Sequence, residues 1–365
     1  SAASGQAFAA ACADATGQAN QRILAEAWDM AGQRFYDPGM HGIDWAAALE
    51  RAQPRACEAA TPAAFNAVVN DMLAELGASH TGYFTPDDPA YFQLLDIFMG
   101  GAGGERRGRL TRIFPSGRVT YTGIGVFTRM IEGRVFVSGV WDGGPAASAG
   151  LKQGDEILAV DGAAFAPVES FAGKAGRETA LTIRRSPDGP VLPLVVTPRE
   201  IEPNQAFLDA LKASQRVYAR NGMTIAYLRP WSYARPQVQA AIVEALSTGP
   251  LKDAGALVLD LRDGWGGASP SYIDAFIPGG PIFTYRGRGQ DMRYESFRWQ
   301  KPLIVLINGG TRSGKEYLAY AIQKHRLGRL VGETSAGALL AGSAFLLSND
   351  ALLEKLKSNL QEVRA

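Results

Sequence analysis

A chain of 365 residues has room for two or three domains. A formal net charge of +1 excludes a polybasic nucleic-acid binder and a long acidic tail, and 46% hydrophobic residues suffice for a sizeable core. Nowhere does an apolar run approach the roughly 18 residues of a membrane span, so no stable membrane insertion is expected.

The first residues, Ser1-Ala-Ala-Ser-Gly, show neither the basic nor the apolar region of a signal peptide. Residues 1–98 read as a helical domain. Gln21 to Met30 has apolar positions at three- and four-residue steps. Thr61 and Pro62 open a further helix as N-cap and first-turn proline, and Gly77 stops it. Cys12 and Cys57 both fall in this part and fit either a disulfide made in an oxidising compartment or two buried thiols. No CxxC pattern accompanies them, so no metal site is expected. Residues 99–118, rich in Gly and Arg, read as a mobile connector. Residues 119–200 read as a β-rich module, with strands expected at Val135 to Val140, Asp155 to Val160, and a hairpin of Thr179 to Arg185 with Val191 to Thr197. Residues 203–215 read as a helical linker. From Met223 strands and helices alternate to residue 331, which predicts an α/β layer within a final domain of 201–365. The last residues after Glu354 read as the end of an amphipathic helix.

Histidine is scarce: only His41, His80 and His325 are available to any mechanism. The segment from Leu303 to Glu316 runs from an apolar strand into Gly309-Gly-Thr-Arg-Ser-Gly314-Lys315, nearly a phosphate-binding loop. Glu316 stands where a metal-holding hydroxyl is needed, and puts a carboxylate where phosphates would approach, which argues against a nucleotide site. Ser313 instead sits at a helix start. Unpaired backbone N–H groups and the positive end of the helix dipole there can stabilise an oxyanion. As an isolated residue it would read as an N-cap.

Its company changes that reading. Gly123-Ile-Gly-Val126 and Gly144-Pro-Ala-Ala-Ser-Ala-Gly-Leu-Lys-Gln-Gly-Asp-Glu-Ile-Leu-Ala-Val-Asp-Gly162 resemble a PDZ domain. Leu76-Gly-Ala-Ser-His-Thr-Gly-Tyr83, Leu259-Asp-Leu-Arg-Asp-Gly-Trp-Gly-Gly267, Asn308-Gly-Gly-Thr-Arg-Ser-Gly-Lys-Glu316 and Val331-Gly-Glu-Thr-Ser-Ala-Gly337 follow in one order around it. Together they resemble the C-terminal processing (tail-specific) peptidases and the tricorn-protease core, over roughly residues 20–348.

The resemblance implies an α+β multidomain fold: a helical N-terminal domain, a PDZ-like module and an α/β (ClpP/crotonase-like) protease core. It implies a serine endopeptidase acting on proteins or peptides without cofactor or metal, in the periplasm or outside the cell. Ser313 falls on the nucleophile position, and Gly314 and Gly266 on the oxyanion hole, although Gly267 is equally placed by sequence. Gly123, Ile124, Gly125 and Val126 fall on the loop that receives a peptide's terminal carboxylate as the peptide adds a strand. One branch of the family carries a lysine base 25 residues after the serine, where this chain has Ala338. The tricorn-like branch uses a Ser-His pair, which Ser79-His80 matches, with His80 as base and Ser79 orienting it. Its remaining glutamate has no assigned counterpart; Glu354 and Glu362 are the glutamates left near the C-terminus. A catalytically inactive peptide- or ligand-binding protein is the competing reading. His41 and His325 are expected on solvated faces.

Overall fold

Two sequence-distant stretches share one compact unit, Ser1–Gly117 with Leu340–Ala365, while Arg118–Leu339 forms another. The computed structural model describes residues 12–99, 104–279, 283–286, 288–289, 293–295 and 297–359. The opening Ser1 to Gly5 segment and Glu362 lie outside these residues.

In the first unit, Asp14 caps a helix at Ala15–Arg34 by accepting from Gly17 N at 2.7 Å. The helix buries Leu24, Ala27 and Ala31, a three- and four-residue spacing that makes one apolar face. Thr61 caps Pro62–Ala74 through Ala64 N, with Pro62 in the first turn. Cys12 and Cys57 are joined by a disulfide, which resolves the two readings left open by the sequence. The packed core draws Leu24, Val69 and Leu73 together with Leu347, Ala351 and Leu353 from the far end of the chain.

Two expectations fail in this unit. Part of the expected connector, Gly104–Ile113, is a helix. Arg109 on it donates to the backbone oxygens of Leu346 and Leu347 at 2.9 and 2.7 Å, so tertiary contacts hold a segment with little periodicity of its own. The C-terminal segment, expected as helix, is the strand Leu352–Asn359. It lies between Gly82–Phe84 and Leu340–Leu346, antiparallel to both. Leu352, Leu353 and Leu356 are spaced ambiguously between the two periods, and two strand partners decide the outcome. Leu340–Ala365 therefore groups with the N-terminal helices rather than with the 201–365 segment.

The second unit holds two sheets of five strands. One is an antiparallel meander of Val126–Ile131, Arg134–Val140, Glu156–Val160, Thr179–Arg184 and Val191–Val196, in that spatial order. Its core includes Ile124, Val137, Leu151, Ile157, Phe171 and Ile183. The other has the order Arg329–Gly332, Leu303–Ile307, Ala256–Asp260, Met223–Leu228, Arg216–Arg220. Its first four strands are parallel and the last is antiparallel. Helices at Pro236–Ser247 and Gly314–Lys324 provide crossovers; the expected helix near 269–276 is a short 3-10 turn at Pro270–Ala275. The fold is α+β and multidomain. Among the described residues, no helix is long and apolar enough to cross a membrane.

Candidate active site

Ser313 stands where the Leu303–Ile307 strand passes through a loop into the Gly314–Lys324 helix. Its backbone has φ of 57° and ψ of −131°, a conformation that costs a serine free energy and needs surrounding structure to hold it. That structure is a set of side-chain ties. Thr311, fully buried, donates to Leu261 O at 3.1 Å and accepts from Asn308 N. Asn308 accepts from Asp263 N and Gly310 N and donates to Asp263 Oδ1. The serine loop and the 261–267 loop are thereby fastened to each other.

They also meet backbone to backbone. A Cβ placed on Gly266 would lie 2.5 Å from Ser313 Cβ and 2.7 Å from Arg312 O, and one on Gly314 would collide with the backbone of Ala268. Only glycine permits this approach. Gly267 instead abuts Ala234, with φ of 95°. Of the two glycines equivalent by sequence, Gly266 is therefore the one lying against Ser313.

The near-phosphate-loop residues have other partners. Glu316, buried, accepts from Ser313 N at 3.0 Å and from Gly337 N and Ala338 N at 2.7 Å each. One carboxylate thus ties the serine to the Val331–Gly337 motif. Ala338, at the position of the other branch's lysine, is buried against it. Lys315 is fully buried, its Nζ donating to Asp263 O at 2.9 Å and Trp231 O at 3.4 Å. Burial first, and the Arg229 charge second, hold its amine down at about 7, with Asp260 and Asp263 opposing.

A charged layer lies beneath. Asp260, fully buried, accepts both prongs of Arg262 at 2.8 and 2.6 Å and the Tyr227 hydroxyl at 2.8 Å. Burial pushes its carboxyl up, but the hydrogen bonds from Arg262, the Arg229 charge and Tyr227 outweigh it and leave it below the ordinary value. Arg229 pairs with Asp263 at 3.2 Å and lies 3.6 Å above the Trp231 ring.

The histidine belongs to the other unit. His80 is buried with φ of 57°, just before the Gly82–Phe84 strand, and Ser79 Oγ lies 3.2 Å from its Nδ1. Glu354, also buried, is the register partner of both Gly82 and Ala344. A Cβ on Gly342 would lie 3.0 Å from His80 Cδ2 and 3.4 Å from Glu354 Oε1, so the imidazole and the carboxylate crowd the same glycine. Sequence reasoning left Glu354 unassigned, because only the pairing of its strand brings it beside His80. His41 and His325 are exposed, and His41 is further held by Tyr36 Oη and Leu76 O.

Gly123, Ile124, Gly125 and Val126 lead into the outermost strand of the meander, whose other edge meets no described strand. Ile124 O and Gly125 O accept from Ala146 N and Trp141 N. Phe127, next in sequence, packs 5.6 Å from the Trp231 ring and 6.5 Å from that of Trp265, the residue before Gly266. Among the described residues, no group of three or more His, Cys, Asp or Glu side chains is placed to hold a metal.

Residues 224–359 match Peptidase family S41, residues 17–74 the tricorn protease C1 domain, and residues 122–189 a PDZ domain. The chain is 33% identical over 235 residues to a carboxy-terminal-processing protease of Bartonella bacilliformis, covering 60% of this chain and 52% of that one. It is 26% identical over 355 residues to the chloroplastic carboxyl-terminal-processing peptidase 1 of Arabidopsis thaliana, covering 90% and 65%. It thus spans about half the length of the first relative and just under two thirds of the second. In fold it is similar to a photosystem II D1 C-terminal processing protease, with a TM-score of 0.53 at 21% identity over 93% of this chain and 87% of the other.

Proposed function

We propose that this chain, whose residues 224–359 match Peptidase family S41 and 122–189 a PDZ domain, is a serine endopeptidase of that family acting on proteins or peptides. Ser313 Oγ attacks the scissile carbonyl while His80 takes its proton. The carbonyl oxygen becomes an oxyanion held by the N–H groups of Gly314 and Gly266. His80 then returns the proton to the leaving amine as the C–N bond breaks. Water, deprotonated by the same imidazole, releases the acyl group from Ser313. Ser79 and Glu354 orient the imidazole.

The observation that carries this reading is the packing of the Gly266 backbone on a strained Ser313 at a helix start. A serine acting only as a cap has no need of a second glycine loop pressed against it. Support for the base comes from the buried Ser79-His80 pair with Glu354 on the same glycine. The PDZ domain receives the substrate's terminal carboxylate at Gly123, Ile124, Gly125 and Val126. Phe127 gives it a packed route to Trp265 through which occupancy gates the cleft. The Cys12–Cys57 disulfide favours a periplasmic or extracellular location.

The test is covalent labelling with a fluorescent fluorophosphonate. Label is expected on the wild type, absent in Ser313→Ala, and slowed by about 10³-fold in His80→Ala, within the range of general-base catalysis. For turnover of an unfolded protein substrate, His80→Ala combined with Ser313→Ala is expected to be no worse than Ser313→Ala alone, since the two act as a unit. A folded wild type that takes up no label would leave a binding protein on this fold.

A further inference from the structure

The residue two places after Ser313 is a lysine whose amine is turned fully inward, away from any solvent-facing role. The mechanism above does not use it. Burying an ammonium costs several kcal/mol unless partners repay it, so a lysine here requires a reason. Its partners are two main-chain oxygens on separate segments: Asp263 O, in the loop that carries Gly266, and Trp231 O, on the segment against which that loop is laid.

The same segments are already interlocked. Trp265 N donates to Trp231 O at 2.8 Å, and Tyr233 N to Gly266 O at 2.9 Å. Asp263 and Gly264 both have positive φ, and a Cβ on Gly264 would collide with Trp231 O. The loop is therefore held in a bent form directly on the 231–234 segment. Lys315 is a charged donor that joins the helix beginning at Ser313 to both of these segments.

We infer that Lys315 is a positioning residue: its protonated amine, spanning Asp263 O and Trp231 O, holds the 261–267 loop so that the Gly266 backbone faces Ser313. The inference rests on the oxyanion-hole reading above. An ammonium donates to a carbonyl about twice as strongly as a neutral amine, so the strut weakens when its proton leaves. The charged groups facing it are Arg229, Asp260 and Asp263. Arg262 is tied to Asp260, and the Tyr227 phenol is pushed far upward by burial and by Asp260, so neither titrates between pH 6 and 9. With the amine held at about 7, reactivity is expected to fall on the alkaline side as Lys315 loses its proton.

The experiment follows fluorophosphonate labelling of the wild type, Lys315→Met and Lys315→Gln from pH 6 to 9.5. Lys315→Met keeps the volume and removes the donors. It is expected to lower the maximal inactivation rate about 30-fold, somewhat under the loss from deleting an oxyanion donor, with the half-saturating probe concentration within about threefold. Its alkaline limb should vanish, and Lys315→Gln, which keeps donors without charge, should recover part of the rate at every pH. The Met variant should melt no lower than the wild type at pH 6, because a buried charge has been removed. A lower rate in a more stable protein is not what a purely structural residue gives. Equal labelling rates in wild type and folded Lys315→Met would overturn the inference, and so would a wild-type profile flat to pH 9.5, which needs no variant to fold. Amide hydrogen exchange over residues 261–268 separates this from failure of the peptidase reading. Faster exchange in Lys315→Met supports the strut whether or not the wild type is labelled, and unchanged exchange refutes it.

Discussion

Ser313 and His80 are held by contrasting means. Around Ser313 the chain builds locally: parallel strands feed successive loops, glycines let two backbones touch, and Thr311, Asn308 and Glu316 stitch neighbouring turns. Around His80 it builds at long range. A three-residue strand near position 80 is paired with a strand beginning at Leu352, and Glu354 arrives at the imidazole's flank only through that pairing. Precision at the serine comes from backbone contact. At the histidine it comes from a tertiary sheet closed by opposite ends of the sequence.

Substitutions that strike one means and spare the other sharpen this contrast. The largest effect is expected from Gly266→Ala. Its methyl group would press on Ser313 Cβ and Arg312 O, displacing the N–H proposed for the oxyanion hole. A loss of about 10²–10³ in kcat is expected, with little change in the environment of His80 by NMR. Equal activity in that variant would show that the contact is not what builds the hole.

Next comes the long-range half. Reducing Cys12–Cys57, or replacing both with serine, opens a loop with a sequence separation of 45 and should cost about 2–4 kcal/mol in denaturant unfolding. If the halves are held independently, hydrogen exchange should rise in residues 15–84 and stay constant in 303–324. Glu354→Gln keeps the shape and removes the charge. About a tenfold fall in kcat is expected, with the fluorophosphonate still reacting; no fall would reduce Glu354 to a packing residue.

A further effect is a slope. Lys315 binds its proton less tightly folded than unfolded, so its burial penalty is present in full below about pH 7 and is relieved as pH climbs toward its ordinary 10.5. Unfolding free energy should therefore rise between pH 7 and 10, by at most about 1.4 kcal/mol per pH unit, and that rise should disappear in Lys315→Met.

The same contrast explains what the sequence revealed. Ser313 and Gly314 are legible because strand, loop and helix start are contiguous, whereas Glu316 reads in sequence only as a carboxylate out of place in a phosphate loop, and its tie to Ser313 N emerges from the structure. Gly266 could not be separated from Gly267 by position; which of them faces the serine depends on Ala234 filling the space beside the other. Glu354 was hidden because leucines at 352, 353 and 356 suit a helix until the strand partners are known. The helix at Gly104–Ile113 was hidden likewise, since Arg109 finds its acceptors more than 230 residues away. Lys315 was visible only as a failed phosphate ligand. No spacing rule reveals that a side chain points inward to two carbonyls.

The position of the Leu352–Asn359 strand has a consequence for biosynthesis. It is the central strand of its sheet and the last described piece to leave the ribosome. The parallel sheet under Ser313 can form while translation continues, but Gly82–Phe84 waits for its neighbour until about 270 further residues have been made. The nascent polypeptide thus holds Ser313 on a formed sheet before the strand beside His80 has its partner.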